Sequence, residues 1–301
     1  MNETSNDAIS WVPQVTQDGS FTFFSAQFGE AFHSRQGAKS ESFEKFAIAT
    51  QLSERAQSRN LKLLDVCYGL GYNSAAALET IWATNPDCQV QLHGLEIDRT
   101  VPPAAATSEL LQSWSLPIRS ILQDLASTQS AESTRLQARL HIGDARSTIQ
   151  ALIQEGFQAD AIFFDPFSPR KCPQLWTVEF FTAVRACLAP DGILATYSRS
   201  AAVRVAMQEA GFTIGSIPLG DSALPHEWSQ GTLAIHRSTI KRALPPLSPM
   251  ELDHLQTRAG VPYRDPTLMD DPAQILDRHQ AEQNSSSLRS TSSWRKQWGI
   301  R

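Results

Sequence analysis

Long hydrophobic runs are missing from this 301-residue sequence. No apolar stretch approaches the roughly 18 residues that a membrane-spanning helix needs. The first ten residues are polar and do not show the basic and then apolar segments of a secretory signal. With 41% hydrophobic and 19% charged residues, the chain can bury a sizeable core. We therefore expect a soluble, cytoplasmic protein with no membrane partner.

Closely spaced metal ligands are also missing. The four cysteines, Cys67, Cys88, Cys172 and Cys187, are scattered, and the seven histidines show no ligand spacing. We expect no metal site and no disulfide framework, with the thiols packed as small hydrophobic groups. The net charge of −5 argues mildly against a wholly nucleic-acid-binding surface, although a local basic patch can still bind phosphates.

Short apolar runs alternate with helical patterns through the middle of the chain. The runs cover residues 61–68, 90–98, 140–143, 161–165, 193–198, 213–219 and 232–236. Helical spacing lies between them, at 74–82, 147–154, 178–188 and 201–210. This alternation predicts an α/β, Rossmann-like fold with a mostly parallel seven-stranded sheet and helices on both faces. The last two runs are joined without a helix, so we expect an antiparallel strand at the sheet edge.

Three regions follow from this pattern. Residues 61–237 form the predicted ligand-binding domain, residues 1–60 a strand and helix extension, and residues 238–301 a C-terminal tail. Within the extension, residues 41–59 have the spacing of one amphipathic helix. The connection at 99–139 is too long for a simple crossover, and we interpret it as a helical insertion and a candidate substrate lid.

Two glycines mark the turn after the first predicted strand. Asp65, Gly69 and Gly71 form the pattern Asp-x-x-x-Gly-x-Gly, in which the bare backbone can approach a ligand closely. Neither the third glycine of the dinucleotide fingerprint nor the Lys-Ser or Lys-Thr pair of a phosphate-binding loop follows. By itself the turn also fits a tight connection with no ligand.

Three later strands each end in an acid. Glu96 lies 25 residues after Gly71 and can accept hydrogen bonds from the ribose hydroxyls of an adenosine. Asp144 can accept the adenine amino group, while the backbone N–H of Ala145 reaches a ring nitrogen. Asp165 follows four apolar residues, at the edge where open α/β sheets bind ligands. Together the acids and glycines predict a single adenosyl site.

The same residues resemble class I S-adenosylmethionine-dependent methyltransferases. The stretch 160–181, followed by 188–197, is similar to the methyltransferase domain of the MnmC family, which completes 5-methylaminomethyl-2-thiouridine at the tRNA wobble position. Residues 28–34 resemble that family too, and the chain departs from it at Pro166, where the family segment has glycine. The tail at 258–266 resembles stand-alone members of the same group. No FAD oxidoreductase domain is expected in this chain, because it is too short for one and lacks a second Gly-x-Gly-x-x-Gly strand–turn–helix.

The resemblance implies S-adenosyl-L-methionine as the cofactor and N-methylation of 5-aminomethyl-(2-thio)uridine at the wobble position of tRNA. Asp165 is the expected catalytic residue, because its carboxylate can orient the amine and take its proton. The expected cofactor-binding residues are Asp65, Gly69, Gly71, Glu96, Asp144, Ala145 and Asp165. Phe167 is expected to pack against the pyrimidine or the cofactor, and Arg170 and Lys171 to contact RNA phosphates.

Other charged and aromatic residues are candidates for RNA contacts. Arg199 and Arg204 also flank the predicted mouth, and Trp176, Trp294 and Trp298 can stack on anticodon bases. Each of them has a plainer alternative as a solvated charge or a packed aromatic ring.

Three other functions stay open at this point. The first is a small-molecule amine methyltransferase with the same cofactor. The second is an aminopropyltransferase resembling spermidine synthase, although that family normally has a three-glycine turn and paired loop aspartates. The third is a non-catalytic RNA-binding protein, and titration with the cofactor separates it from the enzymes.

Overall fold

The computed structural model describes residues 11–57, 60–107, 109–219, 228–238 and 243–300. The polar start at 1–10 and residues 220–227 of the loop before the last strand lie outside these ranges. The strands are β1 (Gln14–Val15), β2 (Phe21–Thr22), β3 (Phe24–Ser25), β4 (Glu30–Ala31), β5 (Leu61–Val66), β6 (Val90–Glu96), β7 (Ser130–Ser133), β8 (Leu136–Ile142), β9 (Ala159–Phe164), β10 (Leu188–Thr196), β11 (Phe212–Ile217) and β12 (Gly231–His236). The helices are α1 (Ala38–Ser42), α2 (Leu52–Ala56), α3 (Tyr72–Thr84), α4 (Val101–Ala105), α5 (Leu116–Thr128), α6 (Ala145–Gln154), α7 (Val178–Ala186), α8 (Ala201–Glu209), α9 (Pro249–Leu255), α10 (Pro272–Ser285) and α11 (Thr291–Trp298).

An eight-stranded sheet forms the centre of the fold, in the order β11-β12-β10-β9-β5-β6-β8-β7. The strands from β10 to β8 run parallel, so the predicted α/β class and mostly parallel sheet are confirmed. The antiparallel strand β12 lies between β10 and β11, one position in from the edge. The predicted count of seven strands missed β7, which pairs antiparallel with β8 at the opposite edge.

Side chains that alternate along the central strands explain why helices cover both faces. Leu63 and Phe163 join the hydrophobic core that contains α3 and α5, while Leu64 and Ile162 join the core that contains α6, α7 and α8. Strands buried on both faces need apolar residues at nearly every position, and β9 is buried along its whole length. The parallel strands are therefore held in one layer with their carboxyl ends along one edge.

The chain before the sheet forms two short hairpins and an interrupted helix. Strand β1 pairs with β2, and β3 pairs with β4. The single helix predicted for 41–59 is wrong: α1 passes into a π-helical turn at Phe43–Ile48, and α2 starts only after Gln51. Gln51 has a φ of 59°, a left-handed conformation that a continuous helix cannot contain. The π-helical turn buries Phe46 in the core beside α3.

The long connection after β6 contains α4, a 3₁₀ turn at Leu110–Ser113, α5 and β7. Ile118, Leu122 and Leu125 are the buried residues of α5, and they pack into the core on the α3 side of the sheet. These contacts fix the connection against the body of the protein.

The chain after the sheet returns over α8. Arg204 of α8 and Glu251 of α9 form a buried ion pair with an N–O distance of 2.9 Å. The prediction that Arg204 flanks a ligand-binding mouth is therefore wrong, because its side chain is buried and joins α8 to α9. Further along, Ile275 of α10 is buried in the core that contains α6 and α7. Over the described ranges, no helix is both long and apolar enough to cross a membrane.

Candidate active site

A cavity of about 610 Å³ opens at the carboxyl ends of the central parallel strands. Its wall includes Gly69, Glu96, Asp144 and Asp165, which lie at or just after the ends of β5, β6, β8 and β9. Residues from four neighbouring strands thus surround one space, as the convergence of parallel strand ends in an open α/β sheet requires.

Glu96 is held by two backbone N–H groups. The amide nitrogens of Gly69 and Asp98 donate to its two carboxylate oxygens, each at 2.8 Å. Burial raises the pKa of Glu96 to about 6, and these two hydrogen bonds oppose the rise. At neutral pH the carboxylate is therefore mostly ionised, with acceptor sites left for ligand hydroxyls.

The two glycines of the first turn serve different purposes. Gly69 lines the cavity with a φ of 54°, and a Cβ there would approach the ring of Phe32 to 3.2 Å. Gly71 does not line the cavity. It is the N-cap residue of α3 and has a φ of 80°. A Cβ at this position would lie 2.8 Å from the Tyr68 ring. Packing against Tyr68 therefore explains why position 71 is a glycine, and the expected cofactor contact stays a prediction.

Asp65, another residue expected to bind the cofactor, lies behind the cavity wall. It is fully buried, and one of its oxygens accepts a hydrogen bond from the Ser74 hydroxyl at 2.6 Å. Its other oxygen has no hydrogen-bond partner among the described residues. Burial raises the pKa of Asp65 well above its usual range, which favours the neutral acid. Its contact with α3 shapes the glycine turn rather than the cavity surface.

Asp144 caps α6 and is paired with Arg146. One oxygen accepts the Arg146 backbone N–H at 2.9 Å, and the other lies 2.7 Å from guanidinium Nη2. The Asp144 side chain is still 36% exposed. Beside it, Ala145 is the first residue of α6, so its backbone N–H is not used by the helix. An acceptor and a donor therefore stand side by side, which is the pattern that complements the amino group and ring nitrogen of adenine.

Asp165 lines the cavity, and its acidity is strongly changed by its surroundings. Burial and, to a smaller extent, the charge of Glu41 raise its pKa, while the hydrogen bond from Asn73 and the charge of Lys45 lower it, and the net result is a pKa of about 7. The Asn73 amide donates to Oδ2 at 2.9 Å, which leaves Oδ1 for another donor. A carboxyl group that titrates near neutral pH can accept and release a proton under physiological conditions.

Sequence reasoning missed Glu41 and Lys45, which also line the cavity. They form an ion pair four residues apart at the junction of α1 and the π-helical turn, and Glu41 accepts the Ser34 backbone N–H at 3.2 Å. Their spacing could have indicated a pair on one helix face. Nothing in the local pattern indicated that this face meets Asp165.

The hairpin β3–β4 covers the cavity. Phe28 stacks on Phe167 with ring centroids 4.4 Å apart, and Phe32 meets the same ring edge-on at 4.9 Å. Glu30 accepts the backbone N–H of Ser168 at 3.0 Å, which fastens the hairpin to the loop after β9. None of the described residues in the connection 99–139 lines the cavity. The hairpin, and not the insertion at 99–139, therefore covers the cavity, which is the role that the sequence analysis suggested for the insertion.

The expected RNA-contacting residues fall into two groups. Arg170 and Lys171 are exposed on the loop after Phe167, but they do not line the cavity. Trp176 and Trp294 are buried, so their predicted stacking on RNA bases is wrong. Trp176 instead donates its indole N–H to the Phe167 carbonyl at 2.8 Å and holds that loop in place.

The cavity fits the expected S-adenosylmethionine in its chemistry. The bare Gly69 backbone leaves room that a Cβ would fill, and Glu96 offers carboxylate acceptors to ribose hydroxyls. Asp144 and the Ala145 N–H are an acceptor and a donor of the kind that would complement an adenine edge. Across the described residues, no group of three or more histidine, cysteine or acidic side chains could hold a metal ion.

Comparison with known proteins gives three kinds of match. A family model described as "S-adenosyl-L-methionine-dependent methyltransferase" matches residues 105–220. The bifunctional protein MnmC of tRNA 5-methylaminomethyl-2-thiouridine biosynthesis, from Aromatoleum aromaticum, is 30% identical over 213 residues, which are 67% of this chain and 32% of that protein. An uncharacterized protein of Methanocaldococcus jannaschii is 27% identical over 66% of this chain and 53% of its own length.

A solved structure matches over much more of both chains. The crystal structure of MnmC2 from Aquifex aeolicus is similar with a TM-score of 0.77 and 32% identity, and the match covers 93% of this chain and 87% of that one. By contrast, the chain spans about a third of the length of the bifunctional MnmC relatives.

Proposed function

Because this chain belongs to the MnmC family of S-adenosylmethionine-dependent methyltransferases, we propose that it methylates the aminomethyl nitrogen of 5-aminomethyl-(2-thio)uridine at the wobble position of tRNA. The observation that carries the proposal is that Asp165, with a pKa of about 7, lines the same cavity as Glu96 and Asp144. An acid suited to accept a proton thus shares one space with the acids suited to bind an adenosine.

The cofactor would be held by Gly69, Glu96, Asp144 and Ala145, and when bound it supplies a methyl group on a sulfonium centre. Glu96 and Asp144 would bind the ribose and the adenine amino group, and so would hold the cofactor in one orientation. Holding two reactants in line can by itself supply several kcal/mol of the barrier reduction, on the order of 7–11 for well-oriented cases.

The amine of the substrate must lose a proton before it can react. A primary amine resembling that of lysine has a pKa near 10.4, so at neutral pH roughly four in ten thousand molecules are neutral. Asp165 accepts the N–H of this amine through Oδ1 and takes its proton, which frees the nitrogen lone pair. Asn73 holds Oδ2 and so fixes the direction in which Oδ1 points.

The nucleotide would enter beside Phe167, whose ring lines the cavity between Phe28 and Phe32. The exposed Arg170 and Lys171 follow on the same loop and can contact phosphates of the anticodon stem-loop. Because the chain spans about a third of the bifunctional relatives, only methyl transfer is proposed for it.

The test uses hypomodified tRNA that carries 5-aminomethyl-2-thiouridine, together with labelled S-adenosylmethionine and the full chain. Nucleoside analysis is expected to find the label in the 5-methylaminomethyl nucleoside, and tRNA with an unmodified wobble uridine is the control. Transfer to free small amines but not to tRNA would instead support a small-molecule methyltransferase. Cofactor binding without transfer to any amine would contradict the proposal.

A further inference from the structure

We propose that Arg146 and Asp265 are positioning residues that orient the Asp144 carboxylate toward the cofactor. The inference rests on the proposed contact between Asp144 and the adenine amino group. Nη2 of Arg146 lies 2.7 Å from Asp144 Oδ2, and Nη1 lies 2.7 Å from Asp265 Oδ2. One guanidinium therefore joins the cavity wall to a segment of the chain 119 residues further on.

Asp265 is a rigid anchor for this guanidinium. Its side chain is 0% exposed, and its Oδ1 accepts the backbone N–H groups of Met269 and Asp270 at 3.1 and 3.2 Å. Its own N–H donates to Glu179 at 2.8 Å. The Asp270 carbonyl accepts a second hydrogen bond from Nη1 of Arg146 at 2.9 Å. The C-terminal segment thus fixes where the guanidinium can lie.

The position of the guanidinium decides which acceptor site of Asp144 remains free. An ionised carboxylate has about four acceptor sites. Three donors of Arg146 occupy most of them: its backbone N–H at 2.9 Å and its Nη2 at 2.7 Å each contact one oxygen, and its Nε is shared between the two oxygens at 3.2 and 3.1 Å. About one site remains for the amino group of a ligand, and the planar guanidinium sets its direction.

Charge acts in the same direction as geometry. Asp144 and Asp265 share one guanidinium, so the positive charge of Arg146 is divided between two carboxylates. Asp144 is therefore neutralised only in part, and its remaining negative charge can attract a hydrogen-bond donor of the ligand. Asp265→Asn would remove one partner and let the guanidinium turn fully to Asp144. Both the fixed direction and the acceptor strength of Asp144 would then decline.

The test compares two ligands on full-length variants by calorimetry: S-adenosylhomocysteine and its 6-deamino purine analogue, in which a hydrogen replaces the adenine amino group and the ring nitrogens stay acceptors. Wild type is expected to prefer the amino compound roughly tenfold or more, the scale of a hydrogen bond to a charged group. Asp144→Ala should abolish that preference, and Asp265→Asn should reduce it at least about fivefold. Asp270→Asn is the matched control, because it removes the Arg278 ion pair but keeps the carbonyl that contacts Arg146.

The outcomes separate this inference from the function on which it rests. If Asp144→Ala keeps the preference, the adenine assignment itself is wrong. If Asp144→Ala loses it but Asp265→Asn keeps it, Asp265 is not a positioning residue, and the proposed function stands. Should Asp265→Asn fail to fold, Arg146→Lys serves instead, because lysine keeps the charge without the planar fork. A wild-type preference in Arg146→Lys would overturn the proposal.

Discussion

Asp165 is expected to destabilise the fold at alkaline pH, because the cavity resists its ionisation. Its pKa is raised from 3.8 to about 7 by burial and by Glu41. At about 1.4 kcal/mol per pKa unit, the ionised form costs at most about 4 kcal/mol of unfolding free energy. For an acid with a raised pKa, the folded state binds more protons. The contribution of Asp165 to stability is therefore greatest below pH 4 and declines as pH rises toward and through 7.

Asp165→Asn removes this titration and keeps an amide oxygen that can accept the Asn73 hydrogen bond. Between pH 5.5 and 8.5, the stability advantage of the variant over wild type should grow by about 2 kcal/mol, half of the full cost. Urea unfolding of the cofactor-free chain at both pH values measures this. Asp124→Asn, at an exposed position on α5, is the control and should show no such trend. An advantage for Asp165→Asn that is absent, or equal at both pH values, would refute the argument.

Three further predictions concern the cavity. Glu96→Ala should raise the Kd for S-adenosylhomocysteine roughly tenfold or more in calorimetry, because hydrogen bonds to a charged acceptor are lost; an unchanged Kd would refute the ribose assignment. The rate of methyl transfer should rise with pH through the pKa of Asp165, and this limb should shift to lower pH in Glu41→Gln and to higher pH in Lys45→Met; shifts of the same sign in both variants would contradict Asp165 as the proton acceptor. Phe28→Ala should raise KM for tRNA more than the Kd for the cofactor, because the ring packs on Phe167 at the covered side of the cavity; equal effects on both would place Phe28 elsewhere in the mechanism.

The central sheet and its strand-end acids were predictable because their signals are local. Each buried strand is a short apolar run, and Glu96, Asp144 and Asp165 stand where such runs stop. Once the strands are parallel, their ends meet at one edge, and one cavity follows. The eighth strand was missed because β7 has only four residues, Ser130–Ser133, and just one of them is an apolar residue in the core. Its pairing with β8, rather than its composition, makes it a strand.

The separate roles of neighbouring turn residues could not be read from their spacing. Asp65, Gly69 and Gly71 all belong to one motif, yet only Gly69 faces the cavity. What separates them is packing: the Tyr68 ring occupies the space beside Gly71, and Ser74 draws Asp65 toward α3. A motif specifies the backbone path of a turn, whereas the direction of each side chain depends on neighbours elsewhere in the fold.

The cover of the cavity depends on contacts that no local pattern contains. The bonds between Glu30 and Ser168 join residues 138 positions apart, and Phe28 reaches Phe167 over a similar separation. Hydrophobic periodicity reports which face of a segment is buried, but not which distant segment buries it. The hairpin β3–β4 has only two residues in each strand, so by itself it would be marginal in water, and it is ordered by the loop that it covers. The catalytic acid, its electrostatic partners and the aromatic cover therefore come from separate parts of the chain. Only the folded structure shows that burial raises the pKa of Asp165 and that Glu41 and Lys45 adjust it in opposite directions.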